Sequence, residues 1–223
     1  MLKILLILLS INFFAFANII VQKPIPFSEK RIGLTKEYIK IHYNLDVKDI
    51  KIIPKIILIH HTAIDDFEDS YSRFVSETLP DDRPDIASNK ESVNVSAHFM
   101  VERDGVINQL MPIDFMGRHV IGLNYSSIGI ENVGGEKGVD NLTDEQLEAN
   151  IFLINYLKKH FNTIEYVVAH YEYRCFENDK LWLEIDDNYR TKKDDPSNRF
   201  FNKIIKNING FKRAPCNKIS NDN

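Results

Sequence analysis

Ile56-Ile57-Leu58-Ile59-His60-His61-Thr62-Ala63 is a short apolar run that ends in two histidines. A second run, Ile164-Glu165-Tyr166-Val167-Val168-Ala169-His170, ends in the same way, and the step Asp195-Pro196 follows further along the chain. Both runs are rich in β-branched residues and bounded by polar residues, which predicts two buried strands. A histidine after each strand and an aspartate that opens a helix can converge on one point. Two imidazoles and one carboxylate are the protein ligands of a catalytic zinc site, with the fourth position left for water.

Two other residues compete for positions in such a site. His61 directly follows His60, and because adjacent strand residues point to opposite faces, only one of the two can face the site. Cys175 follows His170 closely and offers a sulfur ligand. The residues alone leave both alternatives open.

Composition indicates one globular domain. The 223 residues are 43% hydrophobic and 27% charged, enough for a core that needs no disulfide or metal to hold it together. The formal net charge of -4 gives no basic footprint for nucleic acid.

The N-terminus has the pattern of a signal peptide over residues 1–17. Lys3 precedes an apolar stretch over residues 4–16, and Ala15-Phe16-Ala17 is a small-residue cleavage motif. The apolar stretch is short for a membrane span, although a retained N-terminal anchor helix is the alternative. We therefore expect an exported protein, periplasmic or secreted, with no stable membrane insertion after cleavage.

The chain contains two cysteines, Cys175 and Cys216. An oxidising compartment permits a disulfide between them. Two free thiols are the alternative, because sequence does not show whether their Cα atoms come within bonding range.

Further strand signals accompany the two histidine-terminated runs. Residues 99–110 form a hairpin pattern around Asp104-Gly105, and residues 128–133 read as another buried strand. The hairpin predicts an antiparallel pair within an otherwise parallel arrangement. The expected fold is a single α/β domain with a central mixed sheet flanked by helices.

Three helices are predicted from caps and apolar stripes. Asp65 or Asp66 can cap a helix that begins near Phe67, and Thr143-Asp144-Glu145-Gln146 is a capping box for a helix that runs to about His160. Asp195 is predicted to cap a last helix with Pro196 at its first position, which Gly210 ends.

The segments between and around these elements complete the expected organisation. Residues 18–54 are an irregular lead-in, residues 55–212 the folded domain and residues 213–223 a polar tail. Residues 79–94 read as a loop that could border a groove.

Three internal stretches sharpen this picture: Val95-Ser96-Ala97-His98-Phe99-Met100-Val101-Glu102-Arg103-Asp104-Gly105, Ser127-Ile128-Gly129-Ile130-Glu131-Asn132 and Lys193-Asp194-Asp195-Pro196. Together with the two histidine runs, they resemble the zinc-dependent N-acetylmuramoyl-L-alanine amidases of the type 2 amidase superfamily. That superfamily includes the phage T7 lysozyme-like amidases and the peptidoglycan recognition proteins. The resemblance spans residues 56–208, and Ser96-Ala97-His98 is closest to the bacterial muropeptide amidases.

The resemblance implies a fold, a reaction and a ligand set. The fold would be that of the peptidoglycan recognition proteins. The reaction would be hydrolysis of the amide between N-acetylmuramic acid and L-alanine of the peptidoglycan stem, with peptidoglycan or a muropeptide as substrate. The zinc ligands would be His60, His170 and Asp195, in preference to His61 and Cys175.

The resemblance also assigns two catalytic roles. Glu131 matches the general base, and a carboxylate among apolar neighbours is costly unless it has a task or a partner. A structural hydrogen bond is the alternative for Glu131. Lys193 matches the lysine that stabilises the oxyanion, while the alternative is that Lys193 and Lys192 are both solvated surface charges.

Departures from the family pattern concern the substrate. Ser197 stands where glycine is common, and Arg118 stands where a tryptophan often precedes the histidine matched by His119. Arg118, His119 and Asn124 are the candidate substrate contacts. His98 is expected in the core or behind the site, and His42 and His160 on the surface.

Two other functions are alternatives to amidase activity. One is a non-catalytic module that binds peptidoglycan, and the other is a zinc hydrolase of another cell-wall amide.

Overall fold

A computed structural model of the protein describes residues 19–87 and 92–216. The predicted signal peptide, four residues of the 79–94 loop and most of the predicted tail lie outside these ranges. The described chain contains a six-stranded sheet in the order β1-β4-β3-β5-β2-β6. Its strands are β1 (Ile20–Gln22), β2 (Ile56–Ile59), β3 (Phe99–Val101), β4 (Ile107–Gln109), β5 (Ser127–Asn132) and β6 (Tyr166–Ala169).

The sheet is mixed, as the hairpin pattern predicted. β3 and β4 pair antiparallel, with Val101 opposite Ile107, while the other neighbouring strands are parallel. All four residues of β2 are fully buried. The reason is that β2 lies between β5 and β6 with both faces covered, which favours a continuous apolar run over an alternating one.

Within residues 19–87 and 92–216, four α-helices accompany the sheet: α1 (Glu29–Tyr43), α2 (Phe67–Val75), α3 (Asp144–His160) and α4 (Asn198–Asn207). One sheet face, which includes Ile57, Ile130 and Val167, packs into a core with α3 and α4. The opposite face, which includes Leu58, packs against Leu123, Tyr173 and Phe176.

The predicted irregular lead-in is wrong for residues 20–22, which form the sheet strand β1, and for residues 29–43, which form helix α1. Ser28 caps this helix by accepting from the backbone N–H of Lys30, and Asn44 ends it in the left-handed conformation. The helix lacks a clean apolar stripe because its buried face includes Arg31, Thr35 and His42. Without a periodic pattern of apolar residues, this helix could not be predicted from the sequence.

The expectation that His42 lies on the surface is also wrong. His42 is buried and its Nδ1 lies 2.9 Å from Oε2 of Glu184, a residue between strand β6 and helix α4. The ring stacks on Tyr38. A buried carboxylate thus satisfies a histidine that has no local partner in the sequence. His160 is exposed, as expected.

The predicted start of the last helix is corrected by two residues. Ser197, rather than Asp195, caps α4, since its Oγ accepts from the backbone N–H of Phe200 at 3.2 Å. Pro196 precedes the helix, which begins at Asn198, instead of starting it, and the peptide bond between Asp195 and Pro196 is cis. Asp195 is therefore free to face away from α4.

Cys175 and Cys216 form a disulfide, which settles the alternative that the sequence left open. The bridge ties the end of the described chain to the turn that follows His170. Among the described residues, no helix has both the length and the apolar character needed to cross a membrane.

Candidate active site

Strand register builds the centre of the site. β6, β2 and β5 are adjacent and parallel, with Ile59 aligned to both Ala169 and Ile130. The next residue on each strand is therefore His170, His60 or Glu131, and the three lie in a row. The carboxyl ends of parallel strands are the usual location of a ligand site in such sheets.

The backbone at His60 is held firmly by β5. Its N–H donates to the carbonyl of Ile130 at 2.8 Å, and its carbonyl accepts from the backbone N–H of Asn132 at 3.2 Å. The side-chain amide of Asn132 donates to the same carbonyl at 3.0 Å.

His60, His170 and Asp195 bring three ligand atoms together. Nδ1 of His60 lies 2.9 Å from Nδ1 of His170, and Oδ2 of Asp195 lies 3.0 Å from His170 and 3.3 Å from His60. Ligands about 2.1 Å from a tetrahedral zinc ion lie roughly 3.4 Å from one another. The observed spacing and the donor set therefore fit a zinc ion.

Electrostatics favour the protonation states that bind a metal. Burial and the neighbouring His170 lower the pKa of His60 to about 4, so its imidazole is neutral at pH 7. Burial alone would raise the pKa of Asp195, but the imidazoles of His170 and His60 hold it well below the usual value. Metals bind neutral imidazole and ionised carboxylate.

Glu131 lies beside these residues and is 9% exposed. Its Oε2 is buried and has no hydrogen-bond partner. Burial, followed by the charge of Asp195, raises the pKa of Glu131 to about 8. An unpaired carboxylate oxygen with a pKa near neutrality is what proton transfer at a catalytic site requires.

Lys193 and Lys192 both border the site, but they differ in position. Lys193 is half-buried and its charge acts on the pKa values of both His60 and Glu131. Lys192 is exposed and has no such effect on either residue. This difference favours Lys193 as the cation nearest the reacting atoms.

A cavity of about 570 Å³ opens over the cluster. Its wall includes Arg73 and Arg83 beside the two lysines, and the two arginines pair with the carboxylates of Asp82 and Asp85. The sequence did not single out Arg73 or Arg83, because neither belongs to a motif. The loop over residues 79–94 was expected near a groove, and Arg83 belongs to it.

The three predicted substrate contacts occupy different environments. Arg118 is buried and donates to the carbonyls of Ile86 and Val93, which holds the 79–94 loop. Asn124 is fully buried, and its Oδ1 accepts from the backbone N–H groups of His119 and Val120 at 2.8 Å each. His119 is half-buried and faces His60. Substrate contact by these residues stays a prediction.

The competing ligands lie outside the cluster. His61 borders the cavity beside Gly135, away from the three ligand atoms. Cys175 is bound in the disulfide. His98 is buried, with its Nδ1 accepting from the backbone N–H of Gly129 at 3.0 Å.

The fold is a mixed β-sheet flanked by helices, and it carries a buried His-His-Asp cluster that could hold a metal ion beside the buried carboxylate of Glu131. The family described as N-acetylmuramoyl-L-alanine amidase matches residues 51–198, which is more than half of the chain. The chain belongs to this family, and it is a peptidoglycan amidase.

Solved structures of AmpD and of human PGRP-IBETAC share the fold. The selenomethionine derivative of AmpD has 20% identity and a TM-score of 0.52, with 86% of this chain and 95% of that chain covered. Human PGRP-IBETAC in complex with glycosamyl muramyl pentapeptide has 19% identity and a TM-score of 0.50, with coverage of 73% and 88%. The amidase LysC from Clostridium intestinale has 22% identity and a TM-score of 0.45, with coverage of 70% and 84%. No curated protein matches the sequence.

Proposed function

We propose that the protein is a zinc amidase that hydrolyses the bond between the lactyl group of N-acetylmuramic acid and L-alanine of the stem peptide. His60, His170 and Asp195 hold the zinc ion. The observation that carries the proposal is the close approach of three ligand atoms beside the unpaired Oε2 of Glu131.

Zinc, when bound, supplies Lewis-acid chemistry: it lowers the pKa of water to around 7 and polarises a carbonyl. Glu131 acts as the general base and takes a proton from the attacking water on its free Oε2. It then gives that proton to the nitrogen of L-alanine as the amide bond breaks. Its raised pKa suits both steps, because a group that accepts and then donates a proton works best near the operating pH.

Lys193 stabilises the negative charge that develops on the carbonyl oxygen during attack. Its half-buried position strengthens this effect, since a charge interacts more strongly where water is partly excluded. Lys192 is solvated and contributes mainly to the overall charge of the groove.

The groove offers positive charge to the free carboxylates of a stem peptide. Lys192 and Lys193 supply this charge, while Arg73 and Arg83, which pair with Asp82 and Asp85, contribute less. The human relative was crystallised with a muramyl pentapeptide, which supports a muropeptide ligand for this groove as well.

The protein acts outside the cytoplasm, with residues 1–17 as a cleaved signal peptide. The pattern of the N-terminus supports this proposal. The disulfide between Cys175 and Cys216 supports it independently, because such bonds persist in oxidising compartments.

Digestion of purified sacculi tests the reaction. Release of stem peptides with free L-alanine amino termini is expected, together with one zinc ion per chain by metal analysis. Binding without release would identify a non-catalytic module, and new termini elsewhere in the stem would identify another cell-wall amide. His60→Ala, His170→Ala and Asp195→Ala should each abolish tight zinc binding, and full zinc retention would remove that residue from the ligand set.

A further inference from the structure

His119 lies behind His60, on the side away from the metal cluster. Nε2 of His60 is 3.1 Å from Nδ1 of His119, and the two rings are nearly perpendicular at 89°. His60 therefore uses one ring nitrogen toward the cluster and the other toward His119.

The chain of contacts continues to Ser127 and ends at a backbone carbonyl. Nε2 of His119 lies 3.3 Å from Oγ of Ser127, and that hydroxyl donates to the carbonyl of Leu123 at 2.9 Å. The single hydroxyl proton of Ser127 is thus committed to Leu123.

This end point fixes the direction of every hydrogen bond in the chain. Because Ser127 has given its proton to Leu123, its oxygen accepts from Nε2–H of His119. Neutral imidazole carries one N–H, so Nδ1 of His119 has a lone pair and accepts from Nε2–H of His60. Nδ1 of His60 is then left with its lone pair directed at the cluster.

The fold holds the His119 ring in this orientation. A Cβ at residue 129 would lie 2.8 Å from both Cγ and Nδ1 of His119, so only glycine fits there. On the other side, the backbone N–H of His119 donates to Asn124 at 2.8 Å. A glycine inside a strand commonly marks such a close approach.

We propose that His119 and Ser127 are positioning residues that hold His60 in the tautomer and ring orientation in which Nδ1 binds the metal. This inference rests on the proposed zinc site. It gives His119 and Ser127 a role behind a ligand, where partners of metal-bound histidines tune affinity.

Zinc affinity by chelator competition is the first measurement. His119→Phe keeps a flat ring but removes the acceptor, and it should weaken zinc binding by about 10–100-fold. His119→Asn places an oxygen near the position of Nδ1 and should recover most of that loss. Ser127→Ala should have a smaller effect in the same direction.

Ser126→Ala is the matched control. Ser126 is adjacent and buried, and its hydroxyl donates to the same Leu123 carbonyl at 3.3 Å, yet it has no bond to His119. Wild-type zinc affinity is expected for this variant.

A scalar coupling across the hydrogen bond between Nε2 of His60 and Nδ1 of His119, observed by ¹⁵N NMR, is the second measurement. The coupling is expected in wild type and its loss in His119→Phe. A proton found on Nδ1 of His119 would overturn the inference.

The outcomes separate this inference from the proposed function. If wild type does not bind zinc, the proposed function fails. If wild type and His119→Phe bind zinc equally, only the positioning role fails, and a raised KM in that variant would return His119 to substrate contact. Should His119→Phe not fold, Ser127→Ala against Ser126→Ala still decides.

Discussion

Glu131 shows most directly how burial creates reactivity at the scale of a single residue. Its Oε2 is buried without a partner, an arrangement that costs stability and is retained where the group has a task. Glu131→Gln keeps the shape and removes the base. We expect zinc content and fold to be unchanged and turnover on a defined muropeptide to fall by roughly two to four orders of magnitude. Near wild-type release of stem peptide would remove Glu131 from the mechanism.

The same residue predicts a pH dependence of stability in the metal-free protein. Its pKa is about 8 in the fold, above the usual value of 4.5. The contribution of Glu131 to stability is therefore fully present below about pH 4.5 and is lost progressively as the pH rises through about 8, because over this range the unfolded chain releases the proton that the folded state retains.

Glu131→Gln has no charge to bury, so it should be more stable than wild type at pH 9 by on the order of 2–5 kcal/mol and equal to it near pH 4. Urea unfolding with a chelator present measures this difference. The exposed Glu148→Gln on α3 is the control and should follow wild type at every pH. A constant difference between Glu131→Gln and wild type would contradict the raised pKa.

The two adjacent lysines give a third test. Lys193→Ala should lower kcat by about a hundredfold or more with little change in KM, because its charge meets an oxyanion that exists only near the transition state. Lys192→Ala should be mild, since that side chain is exposed. If Lys192→Ala shows the larger loss of kcat, the assignment of Lys193 fails, and the choice of Asp195 over Asp194 as ligand loses support.

The sequence could predict some of these residues and not others for a physical reason. His60, His170 and Glu131 lie at strand ends or within strands, so the apolar runs around them could be recognised in the sequence as strands that carry a polar residue. The burial of His42 depends on Glu184, which lies 142 residues away, and no local pattern reports such a partner. Arg73 and Arg83 reach the cavity through loop and helix packing that the sequence does not encode locally.

At the scale of elements, the start of α4 decides where Asp195 points. Both Asp195 and Ser197 can cap a helix, and the Asp-Pro step favoured Asp195 as the predicted cap. Ser197 is the cap in the structure, and its Oγ also donates to Oδ1 of Asp140 at 2.7 Å. The cap thereby separates the helix from the ligand two residues before it.

Ser197→Ala should lower the free energy of unfolding by about 1 kcal/mol and also weaken zinc binding, because the segment that carries Asp195 loses its anchor. Ser28→Ala is a matched control: Ser28 caps α1 and its hydroxyl also donates to a carboxylate, Glu77, at 2.6 Å. It should cost similar stability without changing zinc affinity. Equal zinc affinity in both variants would show that the α4 cap does not position Asp195.

The sequence predicts a helix or a strand correctly where one face of that element is uniformly apolar. The capping box at Thr143 and the stripe of α3 predicted that helix, and Asp66 caps α2 as one of the two predicted candidates. Helix α1 was not predicted from the sequence, because Arg31 is fully buried on it and donates to the carbonyls at the end of α2. A polar buried face removes the periodic signal on which such predictions depend.

At the scale of the whole molecule, strand order creates the site. β2 lies between β5 and β6, although these strands are far apart in the chain. The sequence supplied the hairpin, a local signal, and thus the mixed character of the sheet. The central order follows from long connections, and the residues alone do not specify it.

The disulfide links the global fold to the cluster of His60, His170 and Asp195. Cys175 and Cys216 are 41 residues apart, and the loop between them contains Lys193, Asp195 and helix α4. Closing a loop of this length destabilises the unfolded chain by about 4 kcal/mol in the chain-entropy account, and removal of a natural disulfide commonly costs about 2–5 kcal/mol.

Replacing both cysteines with serine should therefore lower the free energy of unfolding by about 2–4 kcal/mol in the zinc-loaded protein. Denaturant unfolding of wild type and variant without reductant measures the loss, and reductant should lower the stability of wild type while leaving the variant unchanged. Zinc affinity of the folded variant should stay close to wild type, because the bridge acts mainly on the unfolded chain and α4 is also held by Ser197 and the core. A large loss of zinc affinity with little loss of stability would show instead that the disulfide positions Asp195 directly.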